Sequence, residues 1–252
     1  LEPLFETPTK KIGTRIAAMI TLGVLLKNGL EKNAAINQFI ATALEGDNAL
    51  LIDVGSTKSA ICKHIELHPK RNQFLATHPI AGTEFSGPSA AFAELFMEQA
   101  QILCETYKTR PDLLEWAVQW FRNMNMEIHE MDAEAHDKHI AYVSHLSHIS
   151  SFMLGKTVIE KEKDERAIFK MAGSGFASTV RLAKSSPDMW TPIFKQNKEN
   201  ILEVLKEYIS NLEHFERLLE SDDYDQLFKQ LKNTNTIKTI LAGINEKNIT
   251  KQ

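Results

Sequence analysis

Cysteine is scarce in this chain: Cys62 and Cys104 are the only two in 252 residues, and no Cys-x-x-Cys or zinc-type spacing joins them. That argues against a disulfide framework and makes a reducing, cytoplasmic setting the expectation. Charge of one sign is equally lacking. The net charge is −4, with 29 basic and 33 acidic residues interspersed, so no polyelectrolyte partner is implied; a nucleic-acid binder usually shows a basic face. There is no run of repeats and no low-complexity linker. One segment, Ile16 to Leu26, follows Lys10, Lys11 and Arg15 in the manner of a signal peptide. It is too short to span a bilayer, and no small-x-small site follows it cleanly. We read it as a buried helix and expect no membrane partner. The chain begins with Leu rather than Met, which suggests that its true start lies upstream.

What is present is the composition of a soluble globular protein, 43% hydrophobic and 25% charged, long enough for one large domain or two ordinary ones. After an irregular start at Pro3 and Pro8, Asn33–Leu44 has Ile36, Phe39, Ile40 and Leu44 at helical spacing. Gly46-Asp47-Asn48 is a turn. Ala49–Val54 is a continuous apolar run broken only by Asp53, the pattern of a strand buried on both faces. A helix over Ser59–Glu66, a strand at Phe74–Thr77, a helix near Ser89–Phe96 and a strand at Gln101–Glu105 follow. Pro111 opens a helix over Asp112–Asn125, and Met126–Met131 is a last strand. Strands alternating with helices predict an α/β layer with a mainly parallel sheet. Beyond it the pattern is helical: Asp132–Ile159, Met189–Leu219 and Tyr224–Leu241, with Glu160–Arg166 as a solvated turn. The shift at Glu130–Asp132 divides the chain into an α/β domain, 1–130, and an all-helical domain, 131–252.

In parallel sheets ligands sit beyond the carboxyl ends of the strands. Two strands here end in polar loops, Gly55-Ser56-Thr57-Lys58 and His78-Pro79. If those strands are neighbours, Ser56 and His78 face one crevice. Pro79 stops its strand, Gly82 and Gly87 allow tight turns, and Thr83, Glu84 and Ser86 lie in the same loop. A strand-end histidine with a nearby acid and hydroxyls suits acid–base work. A capped turn with a structural histidine is the plain alternative.

His136, Asp137, His139, His145 and His148 invite a metal reading. At about 100° per residue, with His136 at zero, His139 falls near 300°, His145 near 180° and His148 near 120°. The two pairs then point to opposite sides, and a single four-histidine metal site is not expected. Asp137, near 100°, shares its side with His145 and His148, which suits a cleft wall for an elongated polar ligand. Structural roles for His136 and His139 are the simpler account. Gly173-Ser174-Gly175 precedes a helix running through Arg181, and such a turn can hold an anion. Arg181 offers a planar fork for a carboxylate, or is an ordinary surface arginine. Trp190 reads as a core residue.

Taken together, Asp53–Lys58, His78–Glu84, His136-Asp137 with Ser144–His148, and Gly173–Phe176 through Arg181–Ser185 to Met189-Trp190 resemble the prephenate dehydrogenase family. The order and spacing cover roughly residues 33–241. The resemblance implies an incomplete Rossmann-like nucleotide-binding domain followed by an all-α dimerisation domain, with NAD (or NADP) as cofactor and prephenate as substrate. It implies His78 as the base on the substrate's ring hydroxyl and Ser56 as its support. Arg181 would hold a substrate carboxylate and His148 the side-chain end; His145, Thr83, Glu84, Asp137 and Gly175 would complete the substrate site. Gly55, Ser56, Thr57, Lys58 and Pro79 would border the cofactor. One feature of the family is missing: no Gly-x-Gly-x-x-Gly occurs in this sequence, and residues 1–32 are too few for the usual opening elements. Arogenate is an alternative substrate. A dimeric aromatic-acid binding module without cofactor is an alternative of another class; metal-dependent hydrolysis is disfavoured by the helical angles.

Overall fold

Leu50-Leu51-Ile52-Asp53 is buried at every position and forms strand β2. In the computed structural model of this chain, which describes residues 16–17, 49–82, 92 and 94–249, β2 lies inside a five-stranded sheet. Its order is β1 (Ile16–Ala17), β2 (Leu50–Asp53), β3 (Phe74–Pro79), β4 (Ala100–Cys104), β5 (Glu127–Met131). β1, β2 and β3 run parallel, with Ile16 opposite Leu50 and Asp53 opposite Ala76. β4 returns antiparallel along β3, with His78 opposite Ile102, and β5 is parallel to β4. The sheet is therefore mixed, with one reversed pairing among otherwise parallel ones. Ile16 and Ala17 belong to a strand and not to the expected helix, because they pair with the edge of β2. The rest of that expected helix, the helix at Asn33–Leu44, and Thr83, Glu84, Ser86 and Gly87 lie outside the described residues. Of the helix expected near Ser89–Phe96, Glu94–Phe96 form a turn.

Period-2 alternation splits the strands into two apolar faces. One face sets Leu51, Phe74, Ala76, Ile102 and Cys104 against Ile61, Cys62 and Ile65 of helix α1 (Ser59–Ile65) and Ala133. The other sets Leu50, Ile52, Leu75 and Leu103 against Leu113, Ala117 and Phe121 of α2 (Pro111–Asn123), which Pro111 opens. Cys62 and Cys104 are free thiols in the first core; burial pushes both up to about 12, so they stay protonated.

After β5, Asp132 caps α3 (Ala133–Ile140) by accepting from the Ala135 N–H at 2.7 Å. A π turn (Ala141–His145) leads directly into α4 (Leu146–Asp164). The expected solvated turn at 160–166 is mostly the end of α4, carried on by exposed pairs such as Lys161–Glu165 at 2.8 Å. α5 (Ser174–Thr179) and α6 (Pro187–Gln196) follow. The single helix expected over Met189–Leu219 is broken at Asn197, whose backbone leaves the helical region, and restarts as α7 (Lys198–Glu220). Likewise Tyr224–Leu241 is two helices, α8 (Tyr224–Thr234) and α9 (Ile237–Ile249).

The chain divides into two compact units, Leu1–Lys198 and Glu199–Gln252. The second, taken by itself, is helical; Asp223 caps α8 through the Gln226 N–H, and Phe228, Leu231, Ile237 and Ile240 stand exposed along it. No helix among the described residues is long and apolar enough to cross a membrane.

Candidate active site

The carboxyl ends of β2 and β3 are stitched together by polar groups that burial forces into pairs. Lys58, fully buried, joins its ammonium to the Asp53 carboxylate and donates to the Thr77 carbonyl at 2.6 Å. The Thr77 hydroxyl donates back to the Asp53 carbonyl at 2.8 Å. Between them the chain turns at Gly55, where a Cβ would stand 3.2 Å from Asp53 Oδ1. This close approach is why the strand-end loop carries a glycine there. The stitching makes the Ser56 loop and His78 neighbours, as the order of strands suggested. Ser56, Pro79 and His78 are half-buried.

His78 ends β3 on the face that carries Ala76 and α3. His136, in the first turn of α3 and 2% exposed, meets it there, with His78 Nδ1 and His136 Nε2 at 2.9 Å. The rings meet edge to face. His136 Nδ1 is in turn 2.8 Å from Asp137 Oδ1. Asp137 also accepts from the Lys58 N–H at 2.7 Å and the Ser59 N–H at 2.8 Å, closing the N-terminus of α1. Burial raises the Asp137 pKa, but the hydrogen bonds from His136 and the two backbone N–H groups outweigh it and hold the carboxylate ionised. Burial, then the Lys58 ammonium, His136 and His145 push His78 down to about 3, with Asp137 opposing. At neutral pH His78 is therefore an uncharged imidazole.

The wheel angles expected His145 opposite His136. The π turn overturns this. One extra residue in the turn resets the helical register by about 100°, which brings His145 round toward His136 while keeping it on the side of Asp137, where the wheel had already placed it. His136, Asp137, Ile140, Ala141 and His145 are all buried, while His139 is exposed. Asn197, at the break between α6 and α7, donates to the Asp137 carbonyl at 2.6 Å and faces His145 Nδ1 at 3.2 Å. His145 Nε2 is buried with no hydrogen-bond partner among the described residues. Burial lowers His145 to about 4, Asp137 opposing and His148 and His136 adding to the fall. His148 bonds the Ser144 carbonyl through Nδ1 at 2.9 Å and stacks on Trp190, ring centroids 3.5 Å apart. Trp190 is 7% exposed, a buried residue as read from the sequence, but its buried face is this histidine wall.

Arg181 is exposed and opens a short 3-10 turn, Arg181–Lys184, after α5 has ended at Thr179. It is thus not one turn into a continuous helix, and Gly175 stands exposed in α5. His148 is lowered first by burial and then by the charge of Arg181, against the Ser144 carbonyl. Each group in the series Arg181, His148, His145, His78 influences the next electrostatically.

Among the residues expected to border a dinucleotide, Thr57 donates to Gln196 Oε1 at 2.6 Å and Lys58 is committed to Asp53. Both side chains serve the protein's own packing, and the first N–H groups of α1 are taken by Asp137. Gly55, Ser56 and Pro79 remain at the strand ends, Gly55 with its N–H turned to Asp53 Oδ1 at 3.3 Å. The residues present therefore fit the reacting end of a dinucleotide; the described residues include no pyrophosphate loop. Among the described residues no group of three or more His, Cys, Asp or Glu is arranged to hold a metal ion. Sequence reasoning missed Asn197 and the pairing of Lys58 with Asp53, and set His136 aside. The His-Asp dipeptide at 136–137 was the available signal for the last.

Comparison with known proteins gives two family models end to end: the nucleotide-binding domain of prephenate dehydrogenase matches residues 33–130, and the dimerization domain of prephenate dehydrogenase matches residues 132–233. The cyclohexadienyl dehydrogenase of Zymomonas mobilis is 30% identical over 203 residues, covering 80% of this chain and 69% of that protein. The prephenate dehydrogenase of Bacillus subtilis is 30% identical over 210 residues, covering 83% of this chain and 57% of its own length. The solved prephenate dehydrogenase of Aquifex aeolicus, in complex with hydroxyphenyl propionate and NAD+, superposes with a TM-score of 0.76 at 28% identity, covering 88% of this chain and 74% of that one.

Proposed function

The chain belongs to the prephenate dehydrogenase family, a family of NAD-dependent dehydrogenases, and from that premise we propose that it catalyses the oxidative decarboxylation of prephenate to 4-hydroxyphenylpyruvate. The observation that carries the reading is the uncharged His78 at the carboxyl end of β3, hydrogen-bonded at 2.9 Å to a buried histidine that a carboxylate supports. A base must be neutral before it can take a proton, and this one is.

In this reading His78 takes the ring hydroxyl's proton as hydride leaves the same carbon. A bound NAD supplies the acceptor for that hydride. The ring ketone so formed draws electrons as the bond to the ring carboxylate breaks; carbon dioxide leaves and the ring becomes aromatic. The proton held by His78 returns to the phenolate oxygen, so two electrons move and no net proton is released. Ser56 orients the hydroxyl, Arg181 and His148 receive the side-chain carboxylate, and His145 and Asp137 line the wall. The protein's task is to position, deprotonate and exclude water. The matched dimerization model supports a homodimer through residues 132–233.

Arogenate, with an amine in place of the side-chain keto group, is the neighbouring substrate, and the relative named for cyclohexadienyl compounds keeps it in view. A binding module without cofactor is favoured by one observation: the Thr57 and Lys58 side chains are both engaged internally. Titration of the 252-residue chain with NAD and NADP, followed by prephenate- or arogenate-dependent nicotinamide reduction, separates the three. We expect turnover with NAD, and His78→Asn to lower kcat by about 10²–10⁴ with KM nearly unchanged. A fully active His78→Asn enzyme removes His78 as the base.

A further inference from the structure

We propose that Asp137 and His136 form a positioning pair that decides which nitrogen of His78 is open, keeping Nδ1 protonated and turned inward and leaving Nε2 free to accept a proton from a ligand.

An ionised carboxylate can only accept hydrogen bonds. Asp137 accepts from the Lys58 and Ser59 N–H groups, and its Oδ1 is 2.8 Å from His136 Nδ1. The proton in that contact therefore sits on His136 Nδ1. A neutral imidazole carries one N–H, so His136 Nε2 presents a lone pair. That lone pair is 2.9 Å from His78 Nδ1. Two lone pairs at that distance repel, so the proton between the rings belongs to His78 Nδ1, and Nε2 is left bare. The competing arrangement is an imidazolium at His136, 2% exposed, which keeps its Nδ1–H on Asp137, donates its Nε2–H to His78 Nδ1 and so leaves His78 as the Nε2–H tautomer. It would bury a cation on a ring that is 2% exposed, at the cost of desolvating it, with only Asp137 to offset that cost.

Asp137 does a second thing at once. By holding the Lys58 and Ser59 N–H groups it anchors the loop that presents Ser56. The hydroxyl and the proton-accepting nitrogen are thus referred to one carboxylate. His136 touches no ligand in this account; it acts through His78. The proposal rests on the reading of His78 as the base, and its test is independent of turnover.

The test is ¹H–¹⁵N long-range correlation of the complete 252-residue chain labelled at its nine histidines, with resonances assigned by their loss in His78→Asn and His136→Leu. At neutral pH we expect both His78 and His136 as Nδ1–H tautomers with pyridine-like Nε2. An Nε2–H at His78, or a doubly protonated His136, overturns the proposal. His136→Gln keeps an amide that donates to Asp137 and accepts from His78, and should retain the tautomer and most of kcat. His136→Leu should release the tautomer and lower kcat about 100-fold with KM nearly unchanged. Equal kcat in the two variants makes His136 merely structural. A chain without turnover whose His78 still shows Nδ1–H keeps the pair and removes the dehydrogenase reading. An active enzyme with Nε2–H at His78 does the reverse.

Discussion

The loop from β2 into α1 and the turn from Gly173 to Arg181 bring polar residues of the candidate site, and they are built in opposite ways. In the first, Lys58 is fully buried on Asp53 and Thr77, Thr57 is bonded to Gln196, and the α1 N–H groups are held by Asp137. In the second, Gly173, Ser174, Gly175 and Arg181 are exposed, on a helix of six residues followed by a 3-10 turn. A charge out of water must find its partner during folding. A charge in water need not. The proposed acid–base side is therefore buried and held by the fold, whereas the proposed anion side stands exposed.

The sharpest way to break this comparison is Lys58→Met. It strands Asp53 as a buried carboxylate and should cost about 3–5 kcal/mol in urea unfolding. A loss below about 1 kcal/mol would mean that the loop is not held by this pair. A milder probe is acid. His78 and His145 are depressed to about 3 and about 4, well below the ordinary 6.5. As pH falls below that value the unfolded chain takes up protons that the native one refuses, so stability drops with falling pH, by up to about 1.4 kcal/mol per unit for each group, until the native pKa values are reached. Urea midpoints from pH 7.5 to 5 measure it, and a flat profile would show these rings open to solvent. Smallest in stability should be Arg181→Ala, within about 0.5 kcal/mol of the parent as exposed positions are, while KM for prephenate rises about tenfold or more through loss of a charge-assisted pair. An unchanged KM would take Arg181 out of the anion side.

The β2 and β3 strands, their order and the polar loops at their ends were legible because short apolar runs beside Gly and Pro carry their own periodicity. Helices were legible as helices but not in their breaks. Met189–Leu219 keeps its apolar spacing straight through Asn197, and the interruption comes from a side chain recruited by Asp137 and His145, 60 and 52 residues away. The wheel for His136 to His148 assumed an unbroken α-helix, and the π turn at Ala141–His145 has no mark in the spacing of the residues.

By itself the sequence determined the alternating elements, the apolar faces and the residue types that could do acid–base work, because propensity and burial act over a few neighbouring positions. Which of those residues touch was decided by tertiary structure alone. His78 meets His136 across 58 positions, and Lys58 meets Asp137 across 79. A hydrogen bond that closes only when a sheet and a helix pack together leaves no trace in either segment.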